Sequence, residues 1–151
     1  MKYYLDTEFD GFSGPLLSLA MVCEDGRSLY VRVPSVDRLT PWVAKNVWPI
    51  MDNCPVQPQL FPLGDRMGWA MTIYEFLSHD NGTLTIVADW PDDVRHFCDR
   101  IIVGPGKMIN IPGIRFEVLR VDAYPTELTG AVRHNAWWDA MALRERLRME
   151  F

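Results

Sequence analysis

The chain has little cysteine and no apolar run of membrane-spanning length. Its three cysteines, Cys23, Cys54 and Cys98, are odd in number and show no C-x-x-C spacing. They fit reduced thiols better than a disulfide framework or a zinc site. No basic stretch followed by an apolar one, the pattern of a secretory signal, occurs at the N-terminus. We therefore expect a cytoplasmic protein that has no contact with a membrane.

Positive charge is also scarce. Fifteen Lys and Arg residues face 20 Asp and Glu residues, which gives a net charge of −5. This disfavours proteins that coat long nucleic acid with a basic surface. An enzyme that handles a few nucleotides at one end remains compatible, because bound metal ions can supply positive charge. The length predicts one domain over residues 1–151, large enough to bury a core.

The hydrophobic pattern predicts an α/β fold in which strands come first and then alternate with helices. Stretches typical of strands cover 2–9, 15–23, 28–33, 83–88 and 114–121. Helical periodicity covers 40–51, 65–78, 91–102 and 135–149, with a proline-rich loop after the first helix. On the second helix we expect one buried side, formed by Met67, Ala70, Met71, Tyr74 and Leu77. The order predicts a mixed sheet, a three-strand meander followed by parallel strands, with helices on its faces.

Two acidic residues, Asp6 and Glu8, occupy alternate positions of the first predicted strand. Side chains alternate along a strand, so both face the same way, about 6–7 Å apart. Like charges this close raise each other's pKa unless a cation lies between them, and carboxylate oxygens suit magnesium or manganese. The alternative is a solvent-exposed D-x-E tripeptide that binds no metal.

The last predicted helix carries a further acid on its apolar side. Its buried stripe consists of four residues at helical spacing, Ala136, Ala140, Leu143 and Leu147. Asp139 falls within this stripe. A carboxylate that faces a core is costly unless it is paired or bound to a metal. An ion pair with Arg115 or Arg133 is therefore the alternative to a metal site.

A histidine precedes the same helix. His134 comes just before Asn135, a residue suited to be the N-cap. We therefore expect its imidazole on a loop at the start of the helix, close enough to serve the same site as Asp139.

Three more acids lie where the fourth strand ends and the third helix begins. Ligands of open α/β sheets gather at the carboxyl ends of strands, so these acids are well placed. Asp93 aligns with Phe97 and Ile101 at spacings of four, which directs it inward. Asp89 is a candidate helix cap, and we expect Asp92 to face water.

These segments together resemble the DEDDh, or DnaQ-like, superfamily of 3′–5′ exonucleases. The first motif of the family, D-x-E, is matched by residues 6–8, and the third, H-x-x-x-x-D, by residues 134–139. In the second motif Asp93 takes the position of the acid, but Asp89 stands where asparagine is usual. The DTEF opening and the A-D-W-P-x-D stretch are similar to small bacterial and phage-type 3′–5′ exoribonucleases.

The resemblance implies a ribonuclease H-like fold and hydrolysis of terminal phosphodiesters with two Mg²⁺ or Mn²⁺ ions. It implies four metal ligands, Asp6, Glu8, Asp93 and Asp139. It also implies that His134 is the general base. The expected substrate is the 3′ end of single-stranded RNA, with DNA as the alternative. A homodimer would agree with the relatives, among which dimers are common.

Four residues are expected to contact the substrate. Thr7 can offer its backbone to the terminal sugar, and Phe9 and Phe12 can stack on the last base. For Phe9, strand alternation favours core packing instead. Asp89 is a further substrate-binding candidate and competes with Asp93 for the role of second acid.

Two other functions compete with this hypothesis. A ribonuclease H-type endonuclease would need a metal-binding glutamate on a helix after the meander, and Glu75 is the only obvious candidate. A binding module without catalysis could keep the fold, but such domains usually lose acids, and all five motif positions are filled here.

Overall fold

The first three strands form an antiparallel meander in the computed structural model, which describes residues 1–121 and 128–148. They are β1 (Lys2–Phe9), β2 (Leu16–Cys23) and β3 (Ser28–Arg32). All eight residues of β2 are buried, which explains its nearly continuous apolar sequence.

Shorter strands extend this sheet at both edges. β4 (Gln59–Leu60) pairs parallel to β3, and β5 (Leu84–Ala88) pairs parallel to β1. After a separate hairpin of β6 (Ile102–Gly104) and β7 (Lys107–Met108), β8 (Ile114–Val118) pairs parallel to β5. Among the described residues, the main sheet therefore has the order β4-β3-β2-β1-β5-β8.

Helices cover both faces of the sheet. They are α1 (Pro41–Asn46), α2 (Arg66–Leu77), α3 (Pro91–Ile101) and α4 (Ala136–Arg148). The helix α4 packs on β1 and β2, whereas α3 packs on β1 and β5 together with α2. The predicted α/β fold is confirmed, with its antiparallel meander, parallel strands and flanking helices in the ribonuclease H-like arrangement.

Strand alternation in β1 determines which side chains reach which face. Tyr4 packs in the cluster under α4, whereas Leu5 belongs to the core under α2 and α3. Asp6 and Glu8 share the register of Tyr4 and therefore lie on the α4 side. Thr7 lies on the α3 side, where its hydroxyl donates to Asp93.

The predicted helix over 40–51 is interrupted. The helix α1 ends at Asn46, and a 3₁₀ turn, Trp48–Ile50, follows it. Pro49 lacks an N–H group and crowds the preceding turn, so the helix cannot continue through it.

The expected buried side of α2 is partly wrong. The residues that it buries are Trp69, Ala70, Ile73 and Leu77. Two of the predicted residues, Met67 and Met71, are exposed instead. The large Trp69 ring occupies the core, and this rotates the methionines toward solvent.

The remaining boundaries agree with expectation to within a few residues. β8 ends at Val118 rather than at 121, and the predicted last residue of the final helix, 149, lies outside the described residues. Cys23, Cys54 and Cys98 are all free thiols. Within the described ranges, no helix combines the length and the apolar character needed to cross a membrane.

Candidate metal centre

Asp6 lies at the centre of the candidate site. It contributes an oxygen to two groups of three carboxylates, and the three oxygens of each group lie within 4.8 Å of one another. One group consists of Asp6, Asp89 and Asp93, and the other of Asp6, Glu8 and Asp139. The fold therefore brings together acids that are far apart in the sequence.

Asp93 lies in the first turn of α3, and two hydrogen bonds from Thr7 of β1 hold its carboxylate. The Thr7 N–H donates to Oδ1 over 3.1 Å, and the Thr7 hydroxyl donates to the same oxygen over 2.6 Å. Asp93 is 2% exposed, and its buried Oδ2 has no hydrogen-bond partner within the described part of the chain. One oxygen is thus fixed by the sheet, while the other is free to bind a ligand.

The expectation that Asp89 caps α3 is wrong. The residue before the first helical turn is Trp90, in an extended conformation and without a side-chain capping bond. Asp89 instead follows β5 directly and places an oxygen beside Asp6 and Asp93. Asp92, which we expected to face water, accepts a hydrogen bond from the Trp90 indole at the surface.

The start of α4 brings Asp139 and His134 together. Asn135 is the N-cap, as the sequence predicts, because its Oδ1 accepts a hydrogen bond from the Trp138 N–H over 3.2 Å. His134 precedes it with a left-handed φ of 63°. Its N–H donates to Asp139 Oδ2 over 3.1 Å, which fixes the main chain of His134 beside the carboxylates.

Burial and mutual repulsion raise the pKa values of the clustered acids. Burial is the largest cause for each of them, and the pKa values of Asp93 and Asp139 rise to about 7. The pKa of Asp6 lies well above its usual value because the charges of Asp93, Asp139 and Glu8 add to burial. Burial and then the Asp139 charge raise the pKa of Glu8, and burial raises that of Asp89. Without a cation, these carboxylates cannot all ionise at low cost.

The donor set fits a cation. Two buried oxygens, Asp6 Oδ2 and Asp93 Oδ2, lack hydrogen-bond partners among the residues that the structure describes. A buried anionic oxygen without a partner is costly unless it is paired or coordinates a metal. Each of the two carboxylate groups can therefore hold a metal ion.

In the metal-free protein, the free energy of unfolding should fall as the pH rises from about 4 to about 7. The pKa values of Asp93 and Asp139 are about 7 in the folded protein, against an ordinary 3.8. The folded state therefore holds these two protons more tightly than the unfolded chain does. The stability they contribute is complete below the ordinary pKa and is lost as the pH rises through the raised one. Urea unfolding with EDTA across this range would measure the slope, and a rise in stability would contradict the buried cluster.

Three of the predicted substrate contacts lie near the end of β1. The Thr7 N–H is already bonded to Asp93, so this donor is not free for a sugar. Phe9 is half-buried, and its ring centroid lies 5.0 Å from that of His96. Phe12 is 98% exposed in the turn that follows. The substrate-binding roles of these residues stay predictions.

Sequence reasoning missed Trp42. This residue of α1 is half-exposed, and its ring packs edge-on against the His134 imidazole, with the centroids 5.0 Å apart. Burial, with the nearby charge of Arg133, lowers the pKa of His134. Nothing in the spacing of the sequence indicates the contact, since α1 and the residues before α4 are far apart in the chain and meet only through the tertiary fold.

Replacing the buried Asn135 with alanine should destabilise the protein by ~2–4 kcal/mol, through the loss of a cap and of two further side-chain hydrogen bonds. Besides capping α4, its Nδ2 donates to the carbonyl oxygens of Ile50 and Met51 over 3.0 and 3.1 Å. Urea unfolding would measure the loss. The exposed Asn110→Ala is the matched control, and an equal stability of both variants would contradict this role.

Comparisons with known proteins add no relative. No family model matches this chain, and a search of curated proteins found no significant match. The DEDDh resemblance therefore stays a prediction that rests on the motifs.

Proposed function

We propose that this chain is a metal-dependent 3′–5′ exonuclease that acts on single-stranded nucleic acid, with RNA preferred over DNA. The observation that carries the proposal is the pair of carboxylate groups that share Asp6. His134 adjoins one of these groups through its bond to Asp139. These are the residues whose order along the chain resembles the DEDDh motifs, and the fold agrees with that resemblance.

Magnesium or manganese is the cation that an all-oxygen donor set favours. Asp6, Glu8 and Asp139 would hold one ion, and Asp6, Asp89 and Asp93 would hold the other. When bound, such ions supply the positive charge that stabilises phosphodiester hydrolysis. Asp89 thereby joins the four ligands that the resemblance implies.

His134 is the proposed general base, and it takes a proton from the attacking water. Its pKa is lowered by burial, so the imidazole is neutral and able to accept a proton near pH 7. The bond from its N–H to Asp139 positions the residue, and the ring rests against Trp42.

The competing functions receive less support from the geometry. Glu75, which the endonuclease needs, is exposed on α2 and belongs to neither carboxylate group found in the described ranges. A binding module has no need for a cluster of carboxylates whose pKa values are raised by burial and, for most of them, by the charges of their neighbours. A DNA exonuclease would use the same residues and the same chemistry, and it would differ from the proposed enzyme only in its substrate.

A time course with 5′-labelled single-stranded RNA and DNA oligonucleotides tests the proposal. We expect a ladder that shortens from the 3′ end in Mg²⁺ or Mn²⁺, no cleavage in EDTA, and faster degradation of RNA. Internal cuts would support the endonuclease. No cleavage by the folded protein with either metal would support the binding module.

Asp93→Asn should reduce kcat/KM more than Asp89→Asn does, on the order of 100-fold or more against on the order of 10-fold, since even residues that only support metal ligands typically contribute about 10- to 100-fold. Asp93 is buried and clamped by Thr7, whereas Asp89 is only half-buried. Steady-state kinetics of both variants would show which substitution causes the larger loss of kcat/KM. A larger loss in Asp89→Asn would make Asp89 the acid of the second motif.

A further inference from the structure

An exposed tryptophan follows one of the carboxylate residues in the chain and is held in one orientation. Trp90 follows Asp89 in the chain and is 46% exposed. Its Nε1 donates to Asp92 Oδ2 over 3.0 Å, and Asp92 Oδ1 in turn accepts a hydrogen bond from Arg95 Nε over 3.1 Å. These contacts orient a large π surface, one residue along the chain from a candidate metal ligand, without burying it.

Arg120 covers the same indole from the end of β8. Its Cζ lies 4.6 Å from the centroid of the Trp90 ring, and its Nη1 donates to the Asp89 carbonyl oxygen over 2.9 Å. The segment is fixed by strand pairing, since the Leu119 N–H donates to the Ala88 carbonyl over 2.8 Å. The Arg120 guanidinium is therefore anchored both to the Trp90 ring and to the main chain of Asp89.

The two ends of the carboxylate cluster differ in what borders them. His134 donates to Asp139 of one group, whereas Trp90 is linked to Asp89 of the other by the chain and by Arg120, which contacts both residues. In an in-line displacement, the attacking and leaving oxygens lie on opposite sides of the phosphorus. If His134 takes the proton of the attacking water, the leaving 3′ oxygen and its strand lie on the Trp90 side.

We infer that Trp90 and Arg120 form a binding site for the nucleotide that carries the leaving 3′ oxygen, an inference that rests on the proposed function. The indole stacks on the base of this nucleotide, and the guanidinium contacts its phosphate. Every base has a π face, so such stacking holds a strand without selecting its sequence. Arginine suits both contacts, because its planar cation binds phosphate and packs on aromatic rings.

Two ligands distinguish the contribution of Trp90 and Arg120 from that of the carboxylates and His134. One is a short 5′-fluorescein-labelled single-stranded RNA, whose binding is measured by anisotropy with Ca²⁺ in place of Mg²⁺. The other is the p-nitrophenyl ester of thymidine 5′-monophosphate, which has no nucleotide on its leaving side. Trp90→Ala should weaken RNA binding roughly 5- to 150-fold, the range for loss of one stacked base, and leave hydrolysis of the ester unchanged.

Conservative and matched variants exclude a purely structural effect. Trp90→Phe keeps an aromatic face and should restore most of the RNA affinity. Arg120→Ala should weaken RNA binding and reduce its dependence on salt, because one phosphate contact is lost. Arg115→Ala removes the same charge from the other end of β8, where Arg115 pairs with Thr85. It should leave both RNA binding and hydrolysis of the ester unchanged.

The outcomes distinguish this inference from the proposed function. Unchanged RNA binding in Trp90→Ala, or an equal loss of RNA binding and ester hydrolysis, would overturn the base-binding site while wild-type hydrolysis upholds the exonuclease. A wild-type protein that hydrolyses neither substrate but binds RNA through Trp90 would refute the exonuclease, and only the stacking of a base on Trp90 would remain of this inference.

Discussion

Replacing Asp6 with asparagine should abolish activity and cation binding, yet make the metal-free protein more stable. Asp6 is the residue that the two carboxylate groups share, so one substitution removes a ligand from both. The rate should fall on the order of 1,000-fold or more, because several kcal/mol of transition-state stabilisation depend on the metal. The same change removes a buried charge that Asp93, Asp139 and Glu8 repel, and its Oδ2 has no hydrogen-bond partner among the described residues.

Activity and metal-free stability should change in opposite directions, so a general destabilisation of the fold cannot produce both effects. Without metal, Asp6→Asn should be about 0.5–2 kcal/mol more stable than the wild type, as is common when a functional site is relieved of strain. With Mg²⁺ at 100 times its Kd, the wild type should gain about 2.7 kcal/mol, and the variant should gain far less. Thermal unfolding in EDTA and in MgCl₂ measures both quantities.

Asp37→Asn is the matched control, since Asp37 is exposed and belongs to neither carboxylate group. It should leave both the metal response and the rate unchanged. An Asp6→Asn protein that is less stable in EDTA would mean that Asp6 has a structural role instead of a repulsive one.

Most of the succession of strands and helices along the chain could be predicted from the sequence because the pattern of burial is local. The strand β2 is buried throughout, and β5 is also largely buried, so both are nearly continuous apolar runs. Alternation in β1 similarly predicts that Asp6 and Glu8 share a face. The small strand β4 could not be predicted, because its two exposed residues form a strand only through pairing with β3.

The candidate site was predictable where a motif lies on one element. Asp139 and the cap at Asn135 follow from the periodicity of α4 and from known capping chemistry. The position of Asp89 was not, because a residue between a strand and a helix can either cap the helix or turn toward the sheet. The contacts of Trp42 and Arg120 join segments that are distant in the chain, and no local pattern encodes them.

Removing the imidazole of His134 should lower the rate by roughly 100- to 10,000-fold, the usual contribution of a general base, and leave metal affinity intact. Metal affinity should persist because His134 contacts Asp139 through its N–H, which every substitution except proline retains. The choice of variant matters, since His134 has a left-handed φ of 63°. Asparagine adopts this conformation more readily than alanine does, so His134→Asn isolates the chemistry from backbone strain.

Single-turnover kinetics on labelled RNA, together with calorimetric titration of Mn²⁺, would separate the base from a structural role. His79→Ala is the matched control, because His79 is an exposed histidine after the end of α2. Near-normal turnover of His134→Asn would refute the assignment of the base. Loss of Mn²⁺ binding together with the rate would instead show that the imidazole supports the carboxylates. A slow variant with normal Mn²⁺ affinity leaves proton transfer from the attacking water as the step that His134 performs.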